Sequence, residues 1–172
     1  MKNIIRTDGN TIPLADYQAI NNLPADKVSA HFSVAEMDCA GELLIAAPLL
    51  NLLEAFRARI DKPVKINSGY RTLGKQAELK AEGFKAATTS PHTVGMAADI
   101  DTVSHEQTLE YVAILQEVAR VKGLQVRIGY KQYWDALKQT FVHVDVCPMY
   151  YAKGKPFYNR KHPAAWENQI IW

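Results

Sequence analysis

The residues best suited to chemistry fall into two groups. His92 stands seven positions before Asp99, and His143 stands two before Asp145 in Phe141-Val142-His143-Val144-Asp145. Imidazole nitrogens and carboxylate oxygens are zinc-ligand atoms, and a catalytic zinc site uses about three protein ligands while leaving one position for water. The spacing of His92 and Asp99 suits a loop folding back onto a strand that starts near Ala97, with Gly95 allowing the close approach. In the second group, strand alternation puts His143 and Asp145 on one face and Val142 and Val144 on the other. Burying an unpaired carboxylate is costly, so Asp145 should face a metal, a cation or water. Neither group decides the matter alone: the plain alternative is a satisfied core histidine and a salt-bridged Asp145, and for an isolated His143 it is the better explanation.

The elements that must position these residues can be read from the hydrophobic pattern. Residues 1–32 carry turn signals (Asp8-Gly9-Asn10, Asn21-Asn22, Leu23-Pro24) and little periodicity, which predicts an irregular lead-in. Ser33-Val34-Ala35-Glu36 is a capping box that opens a short helix, expected to end at Gly41. Pro48 starts a second helix whose Leu49, Leu52, Leu53, Phe56 and Ile60 share a face. Val64-Lys65-Ile66 reads as a strand running into Asn67-Ser68-Gly69-Tyr70-Arg71, where the glycine permits a sharp turn and Arg71 sits at the strand end. Lys75 to Glu82 reads as a helix closed by Gly83, and the Thr88-Thr89-Ser90-Pro91 loop delivers His92. Ala97 to Asp101 is a strand with Asp99 and Asp101 on one face and Ala98 and Ile100 on the other. Ser104 with Gln107 caps a long helix, buried through Tyr111, Ile114, Leu115, Val118 and Val121 and stopped by Gly123. Leu124 to Tyr130 and Phe141 to Cys147 alternate as two further strands. The fold class is therefore α+β: a small mixed, mainly antiparallel sheet flanked by helices.

Taken together, Ser68-Gly69-Tyr70-Arg71, then Ser90-Pro91-His92-Thr93-Val94-Gly95-Met96-Ala97-Ala98-Asp99, then Phe141-Val142-His143-Val144-Asp145 resemble the motifs of the zinc D-alanyl-D-alanine carboxypeptidase and L-alanyl-D-glutamate endopeptidase family. The resemblance covers about residues 32–147, including His31-Phe32-Ser33-Val34-Ala35-Glu36, and the zinc lobe of hedgehog signalling proteins looks similar. It implies a zinc peptidase acting on the stem peptides of peptidoglycan. It further implies that His92, Asp99 and His143 hold Zn2+, and that Arg71 faces the substrate carboxylate or the developing oxyanion. Many members of the family carry an acid three residues before the last zinc histidine as general base; here that position is Thr140, and the position after it, where some members have histidine, is Phe141. The likeness is therefore to the branch ending in His-Val-Asp, which makes Asp145 the expected base, with Asp101 and Asp135 as alternatives.

Composition narrows the class further. At 172 residues, with 48% hydrophobic and 22% charged residues, the chain suits one globular domain over 1–172 with its own core. A net charge of +2 without a basic stripe argues against nucleic acid as a partner. Lys153, Lys155, Arg160 and Lys161, interleaved with Phe157 and Tyr158, are better read as a solvated loop than as a glycan contact. Cys39 and Cys147 are too few for a disulfide scaffold, and Cys147 is expected to be a buried thiol. Tyr130, Tyr133 and Trp134 suit a substrate cleft or the core equally, and Trp166 and Trp172 suit packing on the domain or glycan binding. The longest apolar stretch, Leu43 to Leu50, is too short to span a bilayer, and Met1 to Asp8 holds no run of signal-peptide length, so export would depend on something else. That pattern suits a phage lysis or structural protein as well as a chain trimmed of its leader. The expectation is a monomeric peptidase. Its rivals are a zinc-holding cell-wall module without turnover and a cytosolic metal-dependent amidase or dipeptidase.

Overall fold

The computed structural model describes residues 1–83, 89–130 and 140–151, together with the backbone of 169–171. The expected irregular lead-in is instead ordered. Strand β1 (Asn3–Ile5) turns through Gly9, at φ 82°, into antiparallel β2 (Thr11–Pro13), and helix α1 (Leu14–Asn21) follows. Three-residue strands are too short to display an alternation. The other partner of β1 is parallel β3 (Leu44–Ala46), far along the chain, so the pairing leaves no local trace in the sequence.

The capping box at Ser33 forms as expected, with Ser33 Oγ accepting from the Glu36 amide at 3.3 Å and Glu36 Oε2 accepting from the Ser33 amide at 2.8 Å. Helix α2 (Val34–Met37) nevertheless ends well before Gly41. Cys39 and Glu42 exchange both backbone hydrogen bonds, at 2.8 and 2.9 Å, around Ala40 and Gly41, whose φ values are 52° and 79°. Positive φ at both central residues marks the tight hairpin turn, so Gly41 serves that turn and not the helix end.

Helix α3 (Ala47–Ile60) carries Pro48 in its first turn and buries Leu49, Leu50, Leu52, Leu53 and Phe56. Each such side chain, fully removed from water, contributes roughly 1.5–3 kcal/mol before entropy is counted. Strand β4 (Ile66–Ser68) lies two residues later than the alternation suggested, and helix α4 (Leu73–Ala81) is capped by Thr72, whose hydroxyl accepts from the Lys75 amide. Strand β5 (Ala97–Asp101) has the expected bounds, and helix α5 (His105–Lys122) runs from the Ser104 cap to Gly123 at φ 65°. Phe56 of α3 meets Tyr111 of α5 edge to face at 5.0 Å. Val121, expected inside, is 68% exposed. Six positions after Leu115 places it about 240° round the helix, while Val118 and Ala119 continue the buried face.

Strands β6 (Val126–Gly129), β7 (Phe141–Asp145) and β8 (Gln169–Ile171) complete a sheet ordered β4-β5-β7-β6-β8, antiparallel except for the β6 and β8 pair. A parallel β8 at the edge was not foreseen from the sequence. The α+β expectation of a mixed, mainly antiparallel sheet flanked by helices holds. Ala98, Ile100, Val126, Ile128, Val142 and Val144 are buried on one sheet face, the side against which α5 packs. Asp99, His143, Asp145 and Arg127 belong to the opposite set of alternating positions. That second face carries the chemistry.

Candidate metal centre

The sheet register brings the candidate ligands together. Asp99 pairs with His143 across β5 and β7, and Ser68 of β4 pairs with Asp99 on the other side. His92 arrives from a 3-10 turn, Pro91–Val94, that ends at Gly95 in the left-handed region at φ 68°. A Cβ on Gly95 would run into the Leu44 carbonyl, while the Gly95 carbonyl accepts from the Ala46 amide at 2.8 Å, so this glycine locks the histidine turn onto β3. His92 Nδ1 donates to the Gly69 carbonyl at 2.7 Å, which fixes the tautomer and leaves Nε2 bare. The value of Gly69 is therefore space and not a sharp turn: a Cβ there would stand 2.7 Å from Met37 Cα and 2.8 Å from Met37 O.

His92 Nε2, Asp99 Oδ1 and His143 Nδ1 converge, with separations of 3.2 Å, 2.9 Å and 3.3 Å between His92 and Asp99, His143 and Asp99, and the two histidines. Tetrahedral zinc with bonds of 2.0–2.1 Å spaces its ligand atoms by about 3.3 Å, so two nitrogens and one carboxylate oxygen at these separations fit that ion. Among the described residues, these three form the group able to hold a metal. All three are buried. Burial pushes the His92 imidazole below its ordinary pKa, the neutral state a ligand needs. Burial disfavours the charge on Asp99, but His92 and His143 outweigh it and hold that carboxyl well below the usual carboxylate range. For His143 burial pulls downward, and its hydrogen bonds to Asp145 and Asp99 outweigh it and raise the pKa.

Arg71 stands at the rim of the cluster, its side chain 18% exposed, with Nη2 donating to Asp99 Oδ2 at 2.6 Å and Nε donating to Ser68 Oγ at 2.8 Å. Its amide donates to the His92 carbonyl at 3.1 Å, tying the strand end to the histidine turn. Asp145 lies on the far side of the His143 ring and is wholly buried. Its Oδ2 accepts from His143 Nε2 at 3.2 Å, and its two oxygens accept from Arg127 Nε at 2.8 and 2.7 Å. The Cys147 amide donates to Oδ1 at 3.0 Å. Burial works against this charge, and the Arg127 guanidinium and His143 together outweigh it and hold the Asp145 carboxyl below its usual range. Carboxylate, imidazole and ligand position thus form a line in which the outer carboxylate orients the ring.

A family model described as Peptidase M15 matches residues 30–145. The chain belongs to the Peptidase M15 family. Among curated proteins it is similar to the peptidoglycan L,D-endopeptidase MepK of Escherichia coli strain K12, 33% identical over 87 residues that make up 51% of this chain and 42% of that protein. MepK of Shigella flexneri matches over the same extent. The chain thus spans less than half the length of these relatives. Among solved structures, the L-Ala D-Glu endopeptidase ChiX of Serratia marcescens superposes with a TM-score of 0.50 and 18% identity, over 59% of this chain and 80% of that one. That likeness concerns the fold.

In this M15 chain, the position expected to carry an acid is filled by Thr140, whose hydroxyl donates to the Thr102 carbonyl at 2.6 Å. Of the other candidate bases, Asp101 is held on the sheet by Lys65 Nζ at 3.1 Å and Asn67 Nδ2 at 2.8 Å, and Asp135 lies outside the described residues. Tyr130 packs in the core, whereas Tyr133, Trp134, Trp166, Trp172 and the basic cluster from Lys153 to Lys161 also lie outside them. Cys39 and Cys147 are unpaired thiols, and burial pushes that of Cys147 far up, as an inert core thiol requires. His31 is a surface residue whose Nδ1 meets Glu54 Oε2 at 2.6 Å. No helix among the described residues is long and apolar enough to cross a membrane. Sequence reasoning missed Arg127. Its signal was a single cation in the apolar alternation Leu124, Val126, Ile128, on the opposite face from those residues.

Proposed function

We propose that this chain is a zinc peptidase that hydrolyses peptide bonds in the stem peptides or cross-links of peptidoglycan, working as one domain and as a monomer. The convergence of His92 Nε2, Asp99 Oδ1 and His143 Nδ1 carries the reading. Membership in the M15 family and the likeness to MepK support both the reaction class and the substrate class. His92, Asp99 and His143 would hold the ion; burial favours the neutral imidazole of His92, and the two histidines keep Asp99 ionised. Zinc bound there would supply Lewis acidity, polarising the scissile carbonyl and acidifying a water.

The remaining work falls to the chain's own groups. Arg71 holds Asp99 by one nitrogen at the cluster rim and, in this reading, meets the substrate carboxylate or the oxygen on which charge grows. Asp145 serves as a positioning residue and not as the base: it is wholly buried, and its oxygens are engaged by Arg127, His143 and the Cys147 amide. A group that exchanges protons with a water must reach that water.

Thr140 favours one alternative, a zinc-holding cell-wall module without turnover, because a hydroxyl committed to the Thr102 carbonyl supplies no base. One experiment separates the two. Zinc-loaded protein and a chelator-treated control are incubated with purified peptidoglycan, and the released muropeptides are weighed by mass spectrometry. Chelator-sensitive new fragments establish the peptidase and name the bond. Intact peptidoglycan with one zinc per chain selects the binding module, and turnover of free dipeptides alone selects a small-amide hydrolase.

A further inference from the structure

We propose that Arg127 is a positioning residue of the metal centre, acting through Asp145 to hold the His143 imidazole in the orientation that presents Nδ1 to Asp99 and His92. The inference rests on the zinc reading above and extends it to a residue that belongs to none of the recognition motifs.

Three observations converge on it. The first is register: Arg127 of β6 pairs with Asp145 of β7, and Asp145 follows His143 on the same strand face, so guanidinium, carboxylate and imidazole succeed one another across two strands. The second is burial. Asp145 is 0% exposed and Arg127 5%, so the two charges are out of water and must compensate each other, with the Cys147 amide as a further donor to Asp145. The third is geometry. Arg127 Nε donates to both carboxylate oxygens, at 2.8 and 2.7 Å, and the Cys147 amide donates to Oδ1 at 3.0 Å. The Nε–H shared between both oxygens and the Cys147 amide on Oδ1 together restrain the carboxylate as well as compensate its charge, with Oδ2 accepting from His143 Nε2 at 3.2 Å.

An imidazole that donates from Nε2 to a fixed carboxylate has its ring angle and tautomer set, and Nδ1 is the nitrogen left for a metal. A rigid, planar guanidinium, which places its Nε–H in a fixed direction, suits this task, whereas an ammonium on a flexible stem keeps only the charge. Without the guanidinium, the Asp145 carboxylate keeps the Cys147 amide but loses the contact shared by both oxygens that restrains its rotation about Cβ–Cγ, and His143 is held less firmly.

The test measures zinc affinity on folded protein by competition with a chromophoric chelator, beside thermal unfolding of the metal-free protein. The variants are Arg127→Lys, Arg127→Met, Asp145→Asn and the double variant Arg127→Met with Asp145→Asn. Arg127→Lys retains the buried charge and the fold, and zinc binding is expected to weaken by roughly 10–100-fold, the loss typical of removing support behind a ligand. The double variant should bind zinc no more weakly than Asp145→Asn alone, because an effect transmitted through Asp145 disappears when Asp145 is already gone. Should Arg127→Met fail to fold, Arg127→Lys and the double variant, which buries no lone charge, carry the comparison. Zinc affinity at the wild-type level in folded Arg127→Lys overturns the inference, as does a double variant whose losses simply add. A wild-type protein that takes up no zinc refutes the metal reading itself, an outcome distinct from either.

Discussion

Gly69→Ala probes how a backbone contact remote from the ligands controls the centre. The new Cβ would stand 2.7 Å from Met37 Cα, 2.8 Å from Met37 O and 3.0 Å from Met37 Sδ. Two of the three neighbours are backbone atoms of α2, which the Ser33 capping box and the Tyr70 amide bond to Met37 O at 2.8 Å hold in place. The strand end must therefore retreat, and the Gly69 carbonyl retreats with it from His92 Nδ1, now 2.7 Å away. Overpacking of this kind costs about 1–3 kcal/mol, and an orphaned buried N–H adds about 1–3 kcal/mol. At about 2–4 °C per kcal/mol for a chain of this size, the midpoint should fall by about 4–24 °C. Zinc affinity should fall by about 10–100-fold as His92 loses its orienting acceptor. Circular dichroism melts of the metal-free protein and chelator competition for zinc measure the two effects. Gly74→Ala is the control: among the described residues its Cβ would meet only Thr72 Oγ1, at 3.8 Å, inside α4, so that change should be neutral or stabilising by up to about 1 kcal/mol. Gly69→Ala with wild-type midpoint and wild-type zinc affinity would refute the reasoning.

Other expectations follow from the same geometry. His92→Ala and Asp99→Ala should each reduce bound zinc from one per chain to almost none, read by elemental mass spectrometry, and abolish peptidoglycan turnover with it. Asp145→Asn leaves the buried Arg127 without its counter-charge and should cost about 3–5 kcal/mol in the metal-free protein. Its activity should follow zinc occupancy and recover in excess zinc; a loss of roughly two to four orders of magnitude that persists at saturating zinc would make Asp145 the base after all. Tyr150, whose hydroxyl donates to the Arg6 carbonyl at 3.0 Å, has its phenol pushed up to about 12 by burial, with Asp8 adding to the effect. A raised acid pKa means that the unfolded chain ionises first, from its ordinary value of 10.0, so this contribution is whole below that pH and disappears as the pH rises toward about 12. Alkaline unfolding curves of wild type and Tyr150→Phe should converge over that window, and a constant gap would deny the coupling.

The sequence by itself determined those features whose cause is local. The Ser33 and Ser104 caps, the glycine stop at Gly123 and the apolar stripe of α3 depend on neighbours within a helical turn or two, so their positions are legible in the chain. Strand alternation likewise put Asp99 opposite Ala98 and Ile100, and His143 and Asp145 opposite Val142 and Val144. The candidate ligands His92, Asp99 and His143 were implied by the resemblance of the motifs to a known family, and the structure brings those three side chains within reach of one ion. Tertiary structure alone decided the rest. The β1 and β3 pair is parallel and joins segments far apart in sequence, so no local pattern announces it. Gly69 looked like a turn residue, and only the packing of α2 against the strand end reveals that it is needed for space. Asp145 could have faced metal, cation or water, and the β6 and β7 register selected the cation by setting Arg127 opposite it. Charge on a strand tells which face must find a partner; which partner it finds depends on the neighbouring strand, whose register is fixed by the core on the other side of the sheet.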